Sequence, residues 1–512
     1  MKEKRQLRRV AIASGLGLVV SIGLPVGIGL PAYADNGTDT TALREAVTAE
    51  SITQHLEALQ AIADANDGNR AAGTSGHVAS AEYVEEQLRA AGYDPVRQAF
   101  SYDQYVETSS TLEQVSPNPT VYVDQTDFDT MEYSGSGDVT AAVTAVDLNL
   151  AGDRASTSGC EATDFASFPA GDIALVQRGT CSFRIKVDNA ATAGAAGVVI
   201  FNQGNVIPGD DRFGLLFGTL GAPQAAIPAM GATFAVGESL ANTPGVTLRL
   251  QVDATVRTVE TFNVLADSEG RTDRTVVVGG HLDSVKEGPG VNDDGTGIAA
   301  VLETAIQMAE SGDEPTNRVR FAFWSGEEDG LVGSDYYVSQ LTKQDIKEHA
   351  LNLNFDMVGS PNFVRFVYDG DGSAFGTKGP NGSANIEKVF LDYFASQGLA
   401  TEATAFDGRS DYFGFINNGI PAGGLFTGAE GIKTAEQAEI YGGVAGEAYD
   451  PCYHQACDNI DNVDNTVLEQ MADAIAHATL TFAETTSAVN GTSKGGGSGA
   501  LDLKMKGNYS LK

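Results

Sequence analysis

Between about residues 253 and 483 the chain alternates short apolar runs with helical patterns, and this alternation most constrains its fold. "RTVVVGGHLDS", "NRVRFAFWSGEE" and "LNLNFDMVGS" read as strands with their exits. "GTGIAAVLETAIQMAESG" and "SDYYVSQLTKQDIKEHA" read as helices. Such alternation predicts an α/β fold: a mixed, mostly parallel sheet with helices on both faces. Sites in such sheets form beyond the carboxyl ends of the strands. The chemistry should therefore be sought where the apolar runs stop.

Each run stops on polar residues. "VVVGGHLDS" delivers His281 and Asp283, and "GVNDDGTG" delivers Asp293 and Asp294 before a helix. "AFWSGEE" delivers Glu327 and Glu328, and "NLNFDMVGS" delivers Asp356. Later, "YDPCYHQACD" presents Tyr453 and His454 between Cys452 and Cys457. Taken singly, each has an ordinary reading. Asp293 could cap a helix or a turn, His281 could be a hydrogen-bonded strand-end histidine, and the glutamates could be solvated. The ordinary readings weaken together, because all five clusters would meet at one edge of one sheet. Adjacent carboxylates repel, and burial sharpens the repulsion, so the Glu327–Glu328 pair needs a positive partner. Two histidines with several carboxylates are a ligand set for zinc or a similar ion. So many acids suit two ions sharing a bridging carboxylate, a hydrolytic arrangement with the ions about 3.5–4 Å apart.

The flanking sequence supplies the setting. Basic residues from Lys2 to Arg9 precede an apolar run, Val10 to Pro31, and the small residues of "AYA". Residues 1–34 thus read as a secretory signal peptide, with a single membrane anchor as the alternative. No later segment approaches the roughly 18 uninterrupted apolar residues of a membrane helix. The net charge is -36, and the leader carries five bases and one acid, so the remainder is near −40. That acidity argues against nucleic acid and anionic membranes as partners. The four cysteines fall in two close pairs, Cys160 with Cys181 and Cys452 with Cys457. In an exported chain these read as two disulfides, with thiolate metal ligands as the alternative.

Thr40 to Tyr93 reads as helices that precede the α/β region. Residues 136–252 differ in texture: rich in Gly, Ala and Val, with short strands around a helix at "RIKVDNAATAGAAG". "GDIALVQRGTCSFRIKVDNAATAGAAGVVIFNQ" (Gly171 to Gln203) resembles a protease-associated (PA) domain. This divides the chain into 35–135 and 253–485 as one domain, 136–252 as a β-rich α/β insert, and 486–512 as a Gly/Ser linker with a tail that could be a propeptide.

"GGHLDSVKEGPGVNDDGTG", "FWSGEEDGLVGS", "LNFDMVGSPN", "GRSDYFGF" and "YDPCYHQACD" together resemble the secreted bacterial two-zinc aminopeptidases of the Streptomyces type, with the zinc exopeptidase fold. The resemblance implies that His281 and Asp356 hold one zinc, Glu328 and His454 the other, and Asp293 bridges them. It implies Glu327 as general base, Tyr453 as hydrogen-bond donor to the oxyanion, Arg409 as a substrate-positioning residue, and Asp283 as the residue that orients His281. A secreted monomer is implied, acting on peptides or proteins with a free N-terminus and preferring a large apolar first residue such as Leu. Some such enzymes are activated by calcium, but no complete calcium site can be matched. The PA insert departs from the smallest relatives and also occurs in exopeptidases of the glutamate carboxypeptidase kind, so a zinc carboxypeptidase or dipeptidase is the rival reading. A metal-free binding protein on the same fold is the third.

Overall fold

The computed structural model describes residues 37–207, 210–312 and 314–490, and the backbone of a two-stranded ladder at Met505–Lys506 and Tyr509–Ser510. The expected leader, the Gly/Ser linker and most of the tail lie outside the described residues.

Four parallel strands form the centre of the catalytic region. In spatial order they are Ala422–Phe426, His349–Phe355, Arg271–His281 and Asn317–Trp324. Phe366–Tyr368 runs antiparallel beside the first, and Glu402–Thr404 lies outside it. Side chains alternate across each strand with period two, and both faces are buried. Val276, Val278, Phe321 and Phe323 face a core covered by the helices Ala49–Ala65, Ser75–Ala90, Gly297–Ser311 and Asn465–Glu484. Val277, Ala322 and Trp324 face the other side, packed on Tyr337 and Phe415 from two short helices. Helices on both faces of a mixed sheet are the expected architecture.

The early helices also form as the periodicity predicts, from Thr41 to Ala90 in three pieces. One expectation changes. "SDYYVSQLTKQDIKEHA" is not one helix but two, Val332–Ser339 and Lys343–Glu348. Thr342 stops continuity because its hydroxyl accepts the Asp345 amide while Asp345 returns to the Thr342 amide, a capping box that starts a new helix.

The insert is not hung on a linker. Strand Thr247–Asp267 spans 21 residues: its last residues pair with Asn317–Trp324, and its first pair with Gly137–Ala145 of the insert. Val96–Ser116 pairs beside it from Val96–Leu265 to Ser116–Thr247. The boundary between residues 252 and 253 therefore falls inside one strand. The insert continues the sheet through Ile173–Gln177, Gly197–Phe201, Ala229–Ala232 and Phe128–Thr130, with its own core around Phe183, Val198 and Ile200. Cys160 is bonded to Cys181 within it, and Cys452 to Cys457 in the catalytic region.

Candidate metal centre

The strand ends converge as the topology requires. His281 is the last residue of its strand, Asp356 follows Phe355 directly, and Glu327 and Glu328 lie three and four residues beyond Trp324. Asp293 precedes the helix that begins at Gly297, and His454 enters from the loop closed by Cys452–Cys457.

Asp293 sits between the two histidines. Its Oδ1 lies 3.2 Å from Nε2 of His281, and its Oδ2 lies 3.2 Å from Nε2 of His454. Oδ1 of Asp356 is 3.6 Å from Nε2 of His281, and Oε2 of Glu328 is 3.0 Å from Nε2 of His454. Oε2 of Glu327 is 3.9 Å from the His281 nitrogen. All the residues expected to ligate or catalyse there stand at one site. Tyr453 stacks on His454 with ring centroids 3.8 Å apart, and its hydroxyl accepts a 3.3 Å hydrogen bond from Nη2 of Arg409. Arg409 in turn donates to Glu430 at 2.7 Å.

The electrostatics call for a cation. Burial penalises the charge on Glu327, and Glu328, Asp356 and Asp411 add repulsion, so its pKa lies well above the usual carboxylate range despite His281. Glu328 is likewise raised by burial. Burial alone would lower both histidines. The charges of Glu327 and Asp356 instead hold His281 well above the histidine range, and those of Glu328 and Asp293 bring His454 to about 10. Protons thus stand in for positive charge between the imidazoles and carboxylates. Nε2 of His281 and Oε1 of Glu328 are buried with no hydrogen-bond partner among the described residues. Ligand atoms of His281, Glu327 and Asp356 lie within 4.8 Å of one another, as do those of His281, Asp293 and Glu328. Imidazole nitrogens with carboxylate oxygens around one acid that faces both sides fit divalent ions of the zinc kind.

Asp283 orients His281 differently from expectation. Its backbone carbonyl, not its carboxylate, lies 2.9 Å from Nδ1 of His281, while the carboxylate stands 3.8 Å away and accepts the Glu327 amide at 3.3 Å. With Nδ1 donating to that carbonyl, Nε2 carries the free lone pair toward the site.

Several supporting residues escaped the sequence reading of roles. Asp294 accepts the amides of His281, Gly297 and Met357 at 3.0–3.1 Å, tying three segments together. Ser410 donates to Oδ2 of Asp356 at 2.5 Å and accepts from Asn354 at 2.8 Å. Asp458 accepts the amides of Asn292 and Asp293 at 2.9 and 3.0 Å. Asp294, Ser410 and Asp458 stand inside the quoted motifs, so adjacency was the available signal. Arg70 had none. It is fully buried and donates to the carbonyls of Leu282, Pro289 and Gly290, fixing the loop that follows His281. A further acidic group, Asp369, Asp371 and Glu387, lies apart, and its oxygens accept backbone amides of residues 371–375.

Residues 263–479 match peptidase family M28, and residues 139–240 match the PA domain. An aminopeptidase of Pseudomonas aeruginosa is 49% identical over 451 residues, 88% of this chain and 83% of that protein. A probable leucine aminopeptidase 2 of Aspergillus oryzae is 42% identical over 82% of this chain and 81% of its own length. The solved aminopeptidase from Aneurinibacillus sp. strain AM-1 superposes with a TM-score of 0.67 at 27% identity, covering 86% of this chain and 95% of that one. With its strand-end carboxylates and histidines gathered at one site, and with relatives at this identity along most of its length, the chain belongs to peptidase family M28 as an aminopeptidase that carries a PA domain.

Proposed function

We propose that this enzyme is secreted and monomeric, holds two zinc ions, and removes a large apolar N-terminal residue, Leu foremost, from peptides with a free α-amine. The observation that carries the reading is Asp293, whose two oxygens face different histidines, each of which also faces its own carboxylate. His281 and Asp356 would hold one zinc, His454 and Glu328 the other, with Asp293 shared. Zinc bound there would acidify a water and polarise the scissile carbonyl.

Glu327 accepts the proton of the attacking water and returns it to the leaving amine. Its raised pKa suits both halves of that task, because a buried carboxylate gives up its charge readily. Tyr453 donates to the developing oxyanion; burial raises its pKa well above 10, so the hydroxyl keeps its proton. Arg409 fixes the direction of that hydroxyl and positions substrate at the mouth. The unpaired carboxylates beside the ligands attract the substrate ammonium. Met357, Tyr368, Ala405, Phe426 and Ala429 line the cavity beside these groups, an apolar wall that suits a leucine-sized side chain. The name of the Aspergillus relative supports the same preference. Two disulfides and the expected leader support export, and no helix among the described residues is long and apolar enough to cross a membrane.

The test is hydrolysis of Leu-p-nitroanilide and of its N-acetylated form, with and without a chelator. Cleavage of only the free-amine substrate, abolished by chelation and restored by zinc, is expected. Cleavage of the acetylated form at an equal rate would overturn the aminopeptidase assignment. Glu327→Ala should keep its zinc and lose on the order of three decades of kcat.

A further inference from the structure

The strand that carries the PA unit passes directly behind the turn that presents Glu327. There it makes a clamp. The Tyr102 hydroxyl and the Gln104 amide both donate to the carboxylate of Asp329, Gln104 at 2.7 and 2.8 Å to its two oxygens. Gln104 is only 3% exposed, and its own carbonyl accepts from Arg257 at 2.8 Å and from Lys286 at 3.4 Å. Lys286 stands on the loop that follows His281, so one side chain connects both loops of the site to the ribbon.

The clamp matters because the turn is soft. Gly326 and Gly330 hold φ of +75° and +105°, in the region that costs an L-residue most, so the backbone around Glu327–Asp329 has the freedom of two glycines. It is closed locally by the Gly330 and Leu331 amides, both 2.8 Å from the Glu327 carbonyl. Its side-chain anchor is Asp329, and the hydrogen bonds of that carboxylate run to the ribbon. The same segment is tied to the PA unit: the Tyr133 hydroxyl donates to the Asp103 carbonyl at 2.7 Å, and the Tyr105 and Tyr133 rings lie 5.7 Å apart. Phe100 stacks on Tyr336 at 4.9 Å just beyond the turn.

We propose that Tyr102 and Gln104 are positioning residues for the general base: by gripping Asp329 they hold the turn that aims Glu327, so turnover depends on how the ribbon of the PA unit is seated. The inference rests on Glu327 being the base. None of the three touches the reacting atoms. A base displaced by about 1 Å loses on the order of 10²-fold in rate, whereas substrate contacts elsewhere in the cavity are untouched.

The experiment compares Asp329→Asn, Tyr102→Phe with Gln104→Leu, and all three changes together, in the full mature enzyme on Leu-p-nitroanilide, with zinc content measured for each. Asp329→Asn should lower kcat by ~10- to 100-fold with KM within about two-fold and zinc retained. The Tyr102→Phe/Gln104→Leu pair should reproduce that loss, and the triple variant should be no worse, because the residues act through one contact. A merely structural role would lower thermal stability and leave kcat in place. That result, or losses in the two sets that multiply, overturns the proposal. Tyr102→Phe alone removes one hydroxyl and keeps the ring, so it reports even if the larger changes impair folding. Glu327→Gln serves as the control: if it turns over normally the base assignment fails, whereas an inactive Glu327→Gln beside fully active clamp variants refutes the clamp alone.

Discussion

The hydroxyl of Ser410 donates to Oδ2 of Asp356 at 2.5 Å, on the side of the carboxylate away from His281. Asn354 donates to the same hydroxyl at 2.8 Å, so its proton is directed to Asp356. Such outer hydrogen bonds fix a ligand's rotamer before metal arrives. Ser410→Ala should therefore weaken zinc binding by ~10- to 100-fold while saturating zinc restores most of kcat. Competition with a chromogenic chelator measures the first and activity at high zinc the second. Unchanged zinc affinity would remove Ser410 from the site.

Asp293 is the one acid that faces both histidines. Asp293→Ala removes a ligand from each ion and leaves Glu327, Glu328 and Asp356 buried with less positive charge among them. Bound zinc should fall from about two per chain to one or none, and kcat/KM by on the order of 10³-fold. Elemental analysis after gel filtration checks it. Two retained zinc ions would show that the carboxylate is not shared.

The ligand residues were legible because each sits at the end of a strand whose apolar run is visible, and because parallel topology sends those ends to one edge. What could not be read is where a second chain segment would arrive. Ser410 reaches Asp356 across 54 residues, and Arg70 reaches Gly290 across 220, contacts set by packing rather than by spacing. Asp283 shows the limit within one motif. Its spacing of two from His281 suggested a side-chain contact, but the turn after the strand puts its carbonyl nearer and aims its carboxylate at the Glu327 amide. The helix expected across residues 334–350 failed for a local reason, the capping box at Thr342, which periodicity alone does not reveal.

The Cys452–Cys457 disulfide closes a loop of few residues around His454, whose backbone is left-handed at φ +56°. Closing so short a loop contributes only about 2 kcal/mol through chain entropy. Its larger effect is to hold the imidazole toward Asp293 and Glu328. Replacing both cysteines by serine should cost little in unfolding free energy but lower kcat/KM at limiting zinc by ~10-fold or more. Parallel urea titrations and activity at graded zinc separate the two effects. Equal activity at low zinc would mean that the neighbours Asp450 and Asp458 suffice to hold the loop.

His77, on the helix Ser75–Ala90, is 1% exposed, and its pKa falls from 6.5 to about 4 because burial opposes its charge and Arg70 and Arg97 add repulsion. Its ring packs 5.5 Å from that of Phe262, and a carbonyl 3.5 Å away compensates weakly. The folded pKa thus lies below the unfolded one. As pH falls through 6.5 the unfolded chain takes a proton that the folded chain refuses, so stability is lost down to about pH 4 and is level below it. The full loss corresponds to about 3 kcal/mol for this one group. Many carboxylates titrate in the same window, but a difference between two variants cancels them. His77→Gln cannot take up the proton in either state, so its stability should fall less than that of the wild type between pH 7 and pH 4.5. The gap between the two should shift in the variant's favour by about 2–3 kcal/mol over that range. Urea unfolding at the two pH values, at matched zinc and ionic strength, reads it directly. Parallel losses in both proteins would mean that the imidazole is protonated in the folded state, with water or a carbonyl reaching the ring.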